Sequence, residues 1–268
     1  MTTPTREQAT AANRAAWDAS ADYHRTDPQW RALLDGFATP GFSVLDAVET
    51  EMFGRLGVDG KAVAQLCCNN GREILSVKNL TAGRCVGFDQ SEKFLQQARE
   101  LATAGSIEAE FVATDVYAID SAYDGAFDIV LVTIGAIGWM PDLAAFVAVA
   151  ARLLRPGGHL FVHEQHPITD MFDPHSPTPF EPTEPYFTER PYVSDQPIVY
   201  HGQATEAVGE SYWYTHTLAD IFRACLSNGL AIRDFAEYPD NISSVDWAKY
   251  EQRAPRLPLS YALLAKKG

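Results

Sequence analysis

The stretch Leu154-Arg155-Pro156-Gly157-Gly158-His159-Leu160-Phe161-Val162 contains the clearest structural boundary in this chain. Proline and two glycines stop a helix that we expect over 143–154, and the apolar run behind them predicts a buried strand over 159–163. A helix that ends directly before a buried strand is typical of chains in which helices connect parallel strands. The junction therefore favours a mixed α/β fold.

The same alternation extends along the chain in both directions. Short apolar runs predict six further strands, at 62–66, 84–88, 110–113, 127–132, 230–238 and 259–265. Helical patterns precede or separate them, at 43–56, from 72, at 92–102 and at 217–228. We therefore expect an α/β fold with a doubly wound, mostly parallel seven-stranded sheet and helices on both faces.

The segment 167–209 breaks this alternation. It contains eight prolines and shows neither helical nor strand periodicity. Its aromatic residues favour packing over disorder, and they are Phe172, Phe180, Tyr186, Phe187, Tyr192 and Tyr200. We expect one domain over 1–268, with a helical cap at 1–58 and a substrate lid at 167–209, inserted after strand five.

Composition restricts the classes of partner. The chain has 21 Lys and Arg against 35 Asp and Glu, a net charge of −14, which disfavours nucleic acids and anionic membranes. No apolar run is long enough for a signal peptide or a membrane span, so we expect a cytoplasmic protein. The four cysteines lack the C-x-x-C spacing and are expected to be reduced thiols. No pattern predicts the oligomeric state.

Polar and small residues follow the first three strands. The first strand runs into Gln65-Leu66-Cys67-Cys68-Asn69-Asn70-Gly71-Arg72-Glu73, a turn at which a ligand could approach the backbone. Asp89 follows the second strand, about 20 residues later, at the spacing of an acid that binds ribose hydroxyls. Asp89 could equally cap the next helix, and the turn alone could be an ordinary connection. Asp115 follows the third strand. Three strand ends at one sheet edge favour a binding site.

The order of elements and these motifs resemble the class I S-adenosylmethionine-dependent methyltransferases over roughly the whole chain. The resemblance implies S-adenosylmethionine as cofactor and S-adenosylhomocysteine as product. It implies that the first turn holds the methionine part, Asp89 the ribose and Asp115 the adenine amino group, while 127–135 resembles the fourth motif. The implied cofactor-binding residues are Tyr23, Gln65, Cys67, Asn69, Gly71, Asp89, Gln90, Asp115, Val116, Thr133 and Ile134.

The first motif departs from the family pattern. Gln65 stands where the family has an acidic residue, and Cys67 and Asn69 replace two customary glycines. Asparagine tolerates a positive φ better than most residues, so we expect Asn69 and Asn70 to preserve the turn. Gln65 can still form hydrogen bonds but brings no charge to the cofactor's ammonium group.

Methyl transfer requires a sulfonium aligned with a nucleophile in a dry pocket. Trp17, Tyr23 and Trp139 could present aromatic faces to the sulfonium, with Tyr23 as a lid contact, although the two N-terminal aromatic residues could instead only pack a helix.

A protic acceptor needs a base, and we expect His166 and His216 at the acceptor site, with Glu164 as a partner for an amine. A hydrogen-bonded structural role remains open for each histidine. The spacing does not fit the H-E-x-x-H zinc motif, so we expect no metal.

The expected acceptor is a small neutral, aromatic or amine-bearing molecule. Two other functions remain open. A nicotinamide-dependent oxidoreductase could use this architecture, although the G-x-G-x-x-G turn is missing. A noncatalytic ligand-binding module could retain the fold with an altered first motif.

Overall fold

The computed structural model describes residues 3–199, 207–243 and 245–268. Its strands are β1 Val63–Leu66, β2 Cys85–Asp89, β3 Glu110–Ala113, β4 Phe127–Thr133, β5 Leu154–Gln165, β6 Tyr192–Ser194, β7 Ser211–Trp213, β8 Leu230–Tyr238 and β9 Ser260–Lys267. Its α-helices are α1 Arg6–Thr26, α2 Pro28–Phe37, α3 Ala47–Leu56, α4 Arg72–Asn79, α5 Glu92–Gly105, α6 Leu143–Leu153, α7 Leu218–Ser227 and α8 Ala248–Glu251. Short 3₁₀ turns occur between them, including Val116–Ala118, Ile137–Trp139 and Pro167–Met171.

Seven strands form one sheet in the order β3-β2-β1-β4-β5-β9-β8. The first five strands of the chain pair in parallel, and β9 runs antiparallel to both β5 and β8. This arrangement confirms the predicted fold class. The strand order reverses between β1 and β4, which creates a crevice at their carboxyl ends where ligands bind in open α/β sheets.

The two faces of the sheet have separate apolar cores. On one face, side chains such as Val130 and Leu160 pack with Phe146 of α6 and Ile221 of α7. On the other face, Phe161 and its neighbours pack with residues of α3 and α4. Strands covered on both faces are mostly apolar, and the buried β4 is apolar from Ile129 to Val132. Within the described ranges, no helix combines the length and apolar character needed to span a bilayer.

Two element boundaries differ from the sequence prediction by four residues or more. The helix expected over 43–56 begins only at Ala47, because Asp46 and Glu49 form a capping box at its start. The strand expected from His159 begins instead at Leu154, which pairs with Phe127 before the register shifts and pairing resumes at His159. The Pro-Gly-Gly segment is thus an irregular strand entry rather than a separate turn.

The segment 167–209 contains more regular structure than its composition predicts. Strand β6 lies within it and pairs antiparallel with β7 just beyond it, and the 3₁₀ turn Pro167–Met171 begins it. Residues 200–206, and with them the aromatic Tyr200, lie outside the described ranges.

Hydrogen bonds attach this segment and β7 to α1. Asn13 Oδ1 accepts from the backbone N–H of Tyr212 at 2.7 Å, and Ser20 Oγ accepts from that of Ile198 at 2.9 Å. The Asp170 carboxylate accepts from Trp213 Nε1 at 3.2 Å and from Thr215 Oγ1 at 2.8 Å. Because side chains of α1 bond to backbone on both sides of the undescribed gap, α1 and this segment cover one side of the sheet edge together.

We expect Gly71→Ala to destabilise the protein more than Gly125→Ala. Both glycines have a positive φ, +70° and +63°, so either substitution incurs the left-handed penalty of roughly 1–2 kcal/mol. A Cβ on Gly71 would also lie 2.7 Å from Phe111 Cε1 and 3.0 Å from Ala98 Cβ, whereas nothing lies within 4 Å at Gly125. Such overpacking costs about 1–3 kcal/mol more.

Urea unfolding followed by circular dichroism measures both variants against the wild type. An equal loss of unfolding free energy in the two variants would contradict the close packing assigned to Gly71.

Candidate functional site

The turn after β1 contains three left-handed residues. Cys67 has φ +54°, Asn69 φ +50° and Gly71 φ +70°. The expectation for Asn69 is met, but the one for Asn70 is wrong, because Cys67 takes the other left-handed position. Asn69 Oδ1 accepts from the Asn70 backbone N–H at 2.8 Å, a local bond that offsets part of the strain. The two residues that replace the family's glycines therefore keep the glycine-like backbone.

Gln65 joins three elements below this turn. Its Nε2 donates to Thr133 Oγ1 at 2.8 Å, and its Oε1 accepts from the Ile74 backbone N–H at 3.1 Å. The side chain is fully buried, and these bonds link β1 to β4 and to α4. An amide can donate and accept at once, so Gln65 satisfies both partners without burying a charge.

Asp89 connects the ends of β1 and β2. One carboxylate oxygen accepts from the Asn69 backbone N–H and the other from that of Ser91, both at 2.8 Å. Burial raises the pKa of Asp89 to about 6, and the backbone donors oppose this shift. Because a carboxylate has about four acceptor positions, Asp89 retains capacity for a ligand.

A cavity, which we call the cofactor cleft, opens at the carboxyl ends of β1, β2, β3 and β4. Its lining residues are Thr10, Trp17, Cys67, Asn69, Phe88, Asp89, Gln90, Phe94, Thr114, Asp115, Val116, Ile134, Gly135, Ala136, Trp139 and Met140. This set includes the predicted Cys67, Asn69, Asp89, Gln90, Asp115, Val116 and Ile134. The structure thus brings together residues from the ends of four strands.

A second cavity of about 450 Å³, which we call the acceptor chamber, meets the cofactor cleft. Gln65 and Thr133 line the chamber rather than the cleft, together with Glu73, Gln165 and Trp213. Six residues line both cavities, namely Trp17, Cys67, Asn69, Ile134, Gly135 and Trp139. The junction of the two cavities therefore lies against the first turn and two indole rings.

Two predicted cofactor residues line neither cavity. Tyr23 lies on α1 with Trp17, but the two positions fall on different sides of the helix, and only Trp17 reaches the cavities. Gly71 lies under the turn, against Phe111 and Ala98. Trp17, and not Tyr23, is therefore the aromatic residue of α1 that lines the cavities. Gly71 shapes the turn without lining either cavity.

Three tryptophans pack edge to face along the junction and the chamber. The ring centroids of Trp17 and Trp139 are 5.5 Å apart, and those of Trp139 and Trp213 are 5.1 Å apart. The Trp213 indole packs directly on Gly138, where a Cβ would leave it no room. The absence of a side chain at position 138 thus sets the position of Trp213.

Glu164 lines neither the cofactor cleft nor the acceptor chamber, but it lines a small neighbouring cavity. Its Oε1 accepts from the backbone N–H groups of Gly135 and, at 2.9 Å, Gln165, while its Oε2 accepts from that of Ile137 at 3.0 Å. Burial raises its pKa against the effect of these donors. Three backbone donors thus use the carboxylate to hold the loop after β4, and the predicted pairing with an amine stays a prediction.

His166 has both ring nitrogens engaged away from the chamber. Its Nδ1 accepts from the Ile168 backbone N–H at 3.1 Å, so its Nε2 carries the proton and donates to Glu237 Oε1 at 2.9 Å. Burial lowers the pKa of His166, and Glu237 opposes that shift. The acceptor-site position expected for His166 does not match the structure, since this imidazole caps a 3₁₀ turn.

His216 also lies outside the chamber. Its Nε2 bonds the Met140 backbone carbonyl at 2.8 Å, and burial lowers its pKa. It lines a small cavity that shares Gln165 and Trp213 with the chamber, and also a second cavity with Asp142 and Arg223. The structure therefore brings neither histidine to the acceptor chamber.

The polar residue at the end of β5 that does line the chamber is Gln165. The acceptor-site residues predicted from the sequence are its two neighbours, Glu164 and His166. Period-two alternation along the strand places Gln165 on the opposite side from both, and this signal was available in the sequence.

Comparisons with known proteins agree with this geometry. Residues 63–158 match the family described as methyltransferase domain. Ubiquinone biosynthesis O-methyltransferase from Thiobacillus denitrificans is 38% identical over 110 residues, which are 40% of this chain and 45% of the relative. The chain thus spans about half the length of the curated relatives it matches.

Solved structures share the fold at low identity. A Listeria monocytogenes protein assigned to the S-adenosylmethionine dependent methyltransferases aligns with a TM-score of 0.63 and 18% identity, over 83% of this chain and 97% of its own. The 1,6-didemethyltoxoflavin-N1-methyltransferase of Burkholderia thailandensis, solved with bound S-adenosylhomocysteine, aligns with a TM-score of 0.56 and 15% identity, over 100% and 92%.

The matched segment covers the parts of the chain that form the cofactor cleft. Residues 63–158 run from β1 to the entry of β5 and include the left-handed turn, Asp89 and Asp115. The sequence match and the fold thus agree: residues 63–158 match a methyltransferase domain, and the fold of the chain is similar to that of S-adenosylmethionine-dependent methyltransferases.

Proposed function

We propose that this protein transfers a methyl group from S-adenosylmethionine to a small-molecule acceptor. The observation that carries the proposal is the continuous arrangement of the two cavities. Carboxylates from the ends of β2 and β3 lie in the cofactor cleft, and the cleft meets a tryptophan-lined chamber at the left-handed turn. This arrangement suits a ligand whose polar nucleoside end lies in the cleft and whose reactive centre lies at the junction with the chamber.

The residues of the cleft have the chemistry that the cofactor requires. Asp89 would accept hydrogen bonds from the ribose hydroxyls with the lone pairs that its backbone donors leave free. Asp115 would accept from the adenine amino group beside Val116. The backbone of the turn between Cys67 and Gly71 would lie against the methionine part, because its left-handed residues curl the chain at the cleft.

S-Adenosylmethionine, when bound, supplies an electrophilic methyl group to a nucleophilic atom of the acceptor. The chain's contribution is alignment in a water-poor space, which can supply much of the rate of such a transfer. Trp17 and Trp139 would present π faces at the junction, where a positive charge is favoured. Gln65 and Glu164 act as positioning residues, because they hold the turn and the opposite loop.

We propose that no histidine removes the proton of the acceptor in the chamber. Among the described residues that line the chamber, no histidine occurs, and the carboxylate present is that of Glu73, paired with Arg72 at 2.6 Å. We therefore propose an acceptor whose own proton is acidic, such as a phenol or an enol, which needs little help from a base.

The proposed acceptor class is a neutral, aromatic small molecule. Aromatic walls at Trp139 and Trp213 favour a planar ring, and Gln165 can hydrogen-bond a polar substituent. The related proteins named above act, by their names, on a ubiquinone precursor and on a demethylated toxoflavin. The net charge of −14 supports a small molecule over a nucleic acid.

We expect Asp89→Asn to weaken the binding of S-adenosylhomocysteine about 10- to 100-fold at pH 7.5, because a charged acceptor is lost. Wild-type affinity should also fall below pH 6, by up to about tenfold per pH unit. The pKa of Asp89 is raised to about 6, so acid protonates the carboxylate that the ribose hydroxyls need. The variant should lack this pH dependence. Isothermal titration calorimetry between pH 5 and 8 measures both effects.

Asp120→Asn is the matched control for this experiment. Asp120 accepts from the Ala122 backbone N–H at 2.7 Å in a similar cap but does not line the cleft. Its variant should bind like the wild type. If the wild type itself binds neither S-adenosylmethionine nor its product, the noncatalytic module replaces our proposal.

We expect Glu164→Gln to weaken cofactor binding without contacting the cofactor. The glutamine NH₂ group would face backbone N–H donors where a carboxylate oxygen now accepts from Gly135 or Ile137. The loop that lines the cleft would shift, and affinity for S-adenosylhomocysteine should fall about tenfold or more.

The matched control is Glu237→Gln, since Glu237 bonds a buried histidine outside both cavities. Calorimetry should give wild-type affinity for this control. Equal affinity in the Glu164 variant would exclude a positioning role for that carboxylate.

We expect turnover with small aromatic acceptors in a screen that uses methyl-labelled S-adenosylmethionine, and none with tRNA or unfolded protein. For an acceptor found in the screen, Trp213→Ala should raise KM about tenfold and leave the affinity for S-adenosylhomocysteine within about twofold, because Trp213 lines only the chamber side.

Trp247→Ala provides the control for loss of an indole. Trp247 packs on Tyr250, away from both cavities. Labelling of nucleic acid or protein alone would contradict the proposed acceptor class.

A further inference from the structure

A second cluster of ligand-type side chains lies between α3 and β5, outside both cavities. His163 Nδ1 is 3.6 Å from Asp46 Oδ2 and 3.9 Å from Glu49 Oε1, and the three donor atoms all lie within 4.8 Å of one another. Asp46 precedes α3 and Glu49 lies in its first turn, while His163 comes from β5. The two segments are far apart in sequence, so only the fold assembles this group.

The cluster contains unsatisfied polar atoms at full burial. His163 is 0% exposed and Glu49 is 3% exposed. Within the part of the chain that the structure describes, neither ring nitrogen of His163 has a hydrogen-bond partner, and nor does Glu49 Oε1. Leaving such groups unpaired costs about 1–3 kcal/mol each. A native site with three such atoms requires an explanation.

The capping box does not account for these atoms. Asp46 Oδ1 accepts from the Glu49 backbone N–H at 2.8 Å, and Glu49 Oε2 accepts from the Asp46 backbone N–H at 3.2 Å. The helix start therefore uses one oxygen of each carboxylate. The other oxygen of each, Asp46 Oδ2 and Glu49 Oε1, faces His163 Nδ1.

The buried His166 and the half-buried His216 do find partners. His166 bonds Glu237 and the Ile168 backbone N–H, and His216 bonds the Met140 carbonyl. The distances from His163 Nδ1 to the two carboxylates are longer than a hydrogen bond. These distances fit an ion held between the three side chains better than a hydrogen bond from the histidine to a carboxylate.

We propose that Asp46, Glu49 and His163 bind a divalent transition-metal ion, for which Zn²⁺ is the probe. One imidazole nitrogen and two carboxylate oxygens suit a borderline ion better than Ca²⁺ or Mg²⁺, which prefer oxygen alone. Tetrahedral zinc with ligands at about 2.0–2.2 Å places donors roughly 3.4 Å apart, so a small closure of the cluster suffices.

The site is partly open, which allows an ion to enter. The Asp46 side chain is 38% exposed, whereas the other two ligands are buried. Water would complete the coordination from the Asp46 side. The bound ion would tie the start of α3 to β5 and so stabilise the fold. This inference does not depend on the proposed methyl transfer.

The test measures metal content and stability in the full chain, freed of any affinity tag and stripped with a chelator. We expect about one equivalent of Zn²⁺ per chain after desalting and a thermal midpoint raised by about 5 °C. Asp46→Asn and Glu49→Gln should each weaken Zn²⁺ binding at least about tenfold. Both replacements preserve the capping oxygens, so the helix start should survive.

His175→Gln is the matched control. His175 Nε2 lies 3.5 Å from Asp246 Oδ2 in an exposed pair, and its loss should leave binding unchanged. Co²⁺ substitution should give visible d–d bands without a thiolate charge-transfer band, which separates this cluster from the cysteines. The proposal is overturned if no stoichiometric Zn²⁺ binds, or if binding survives in the Asp46 and Glu49 variants. Cofactor affinity is not a readout, so failure here leaves the proposed function standing.

Discussion

The two hydrogen bonds of the Asp89 carboxylate are the constraint on which the site depends. They hold the backbone of Asn69 and Ser91 at one point and so fix the end of β1 relative to the end of β2. Partial burial raises the pKa of this carboxylate, and the two backbone donors that it organises oppose the shift. The cofactor cleft is the space that these two loops leave between them.

Several candidate catalytic groups likewise hold the backbone of loops in place. Glu164 holds the loop after β4 with both oxygens, and His166 caps the 3₁₀ turn that follows β5. Each lies at the carboxyl end of a strand, where loops expose many backbone donors. A polar side chain near a binding site thus has two competing roles, and its hydrogen-bond partners decide between them.

The acceptor chamber depends on parts of the chain that are distant in sequence. Trp17 comes from α1, Trp139 from the loop after β4, and Trp213 from β7, yet the three indoles pack as one series. Asn13 and Ser20 of α1 bond the backbone beyond β5, so the N-terminal helix and the inserted segment are held as one cover. Trp17 of this cover lines both the cofactor cleft and the acceptor chamber, so α1 bounds the two cavities at once.

Sequence alone determined the sheet, its helices and most of the cofactor cleft. Apolar runs, glycine turns and acids at strand ends are local patterns, and parallel strands bring their carboxyl ends together whatever the details. Tertiary structure alone decided that Cys67 rather than Asn70 is left-handed, that Trp17 and not Tyr23 lines the cleft, and that His166 and His216 face away from the chamber. No local sequence pattern predicts that His163 lies beside Asp46 and Glu49. Which direction a side chain takes, and which distant partner it meets, depends on packing between elements, and that information is not contained in any one stretch of sequence.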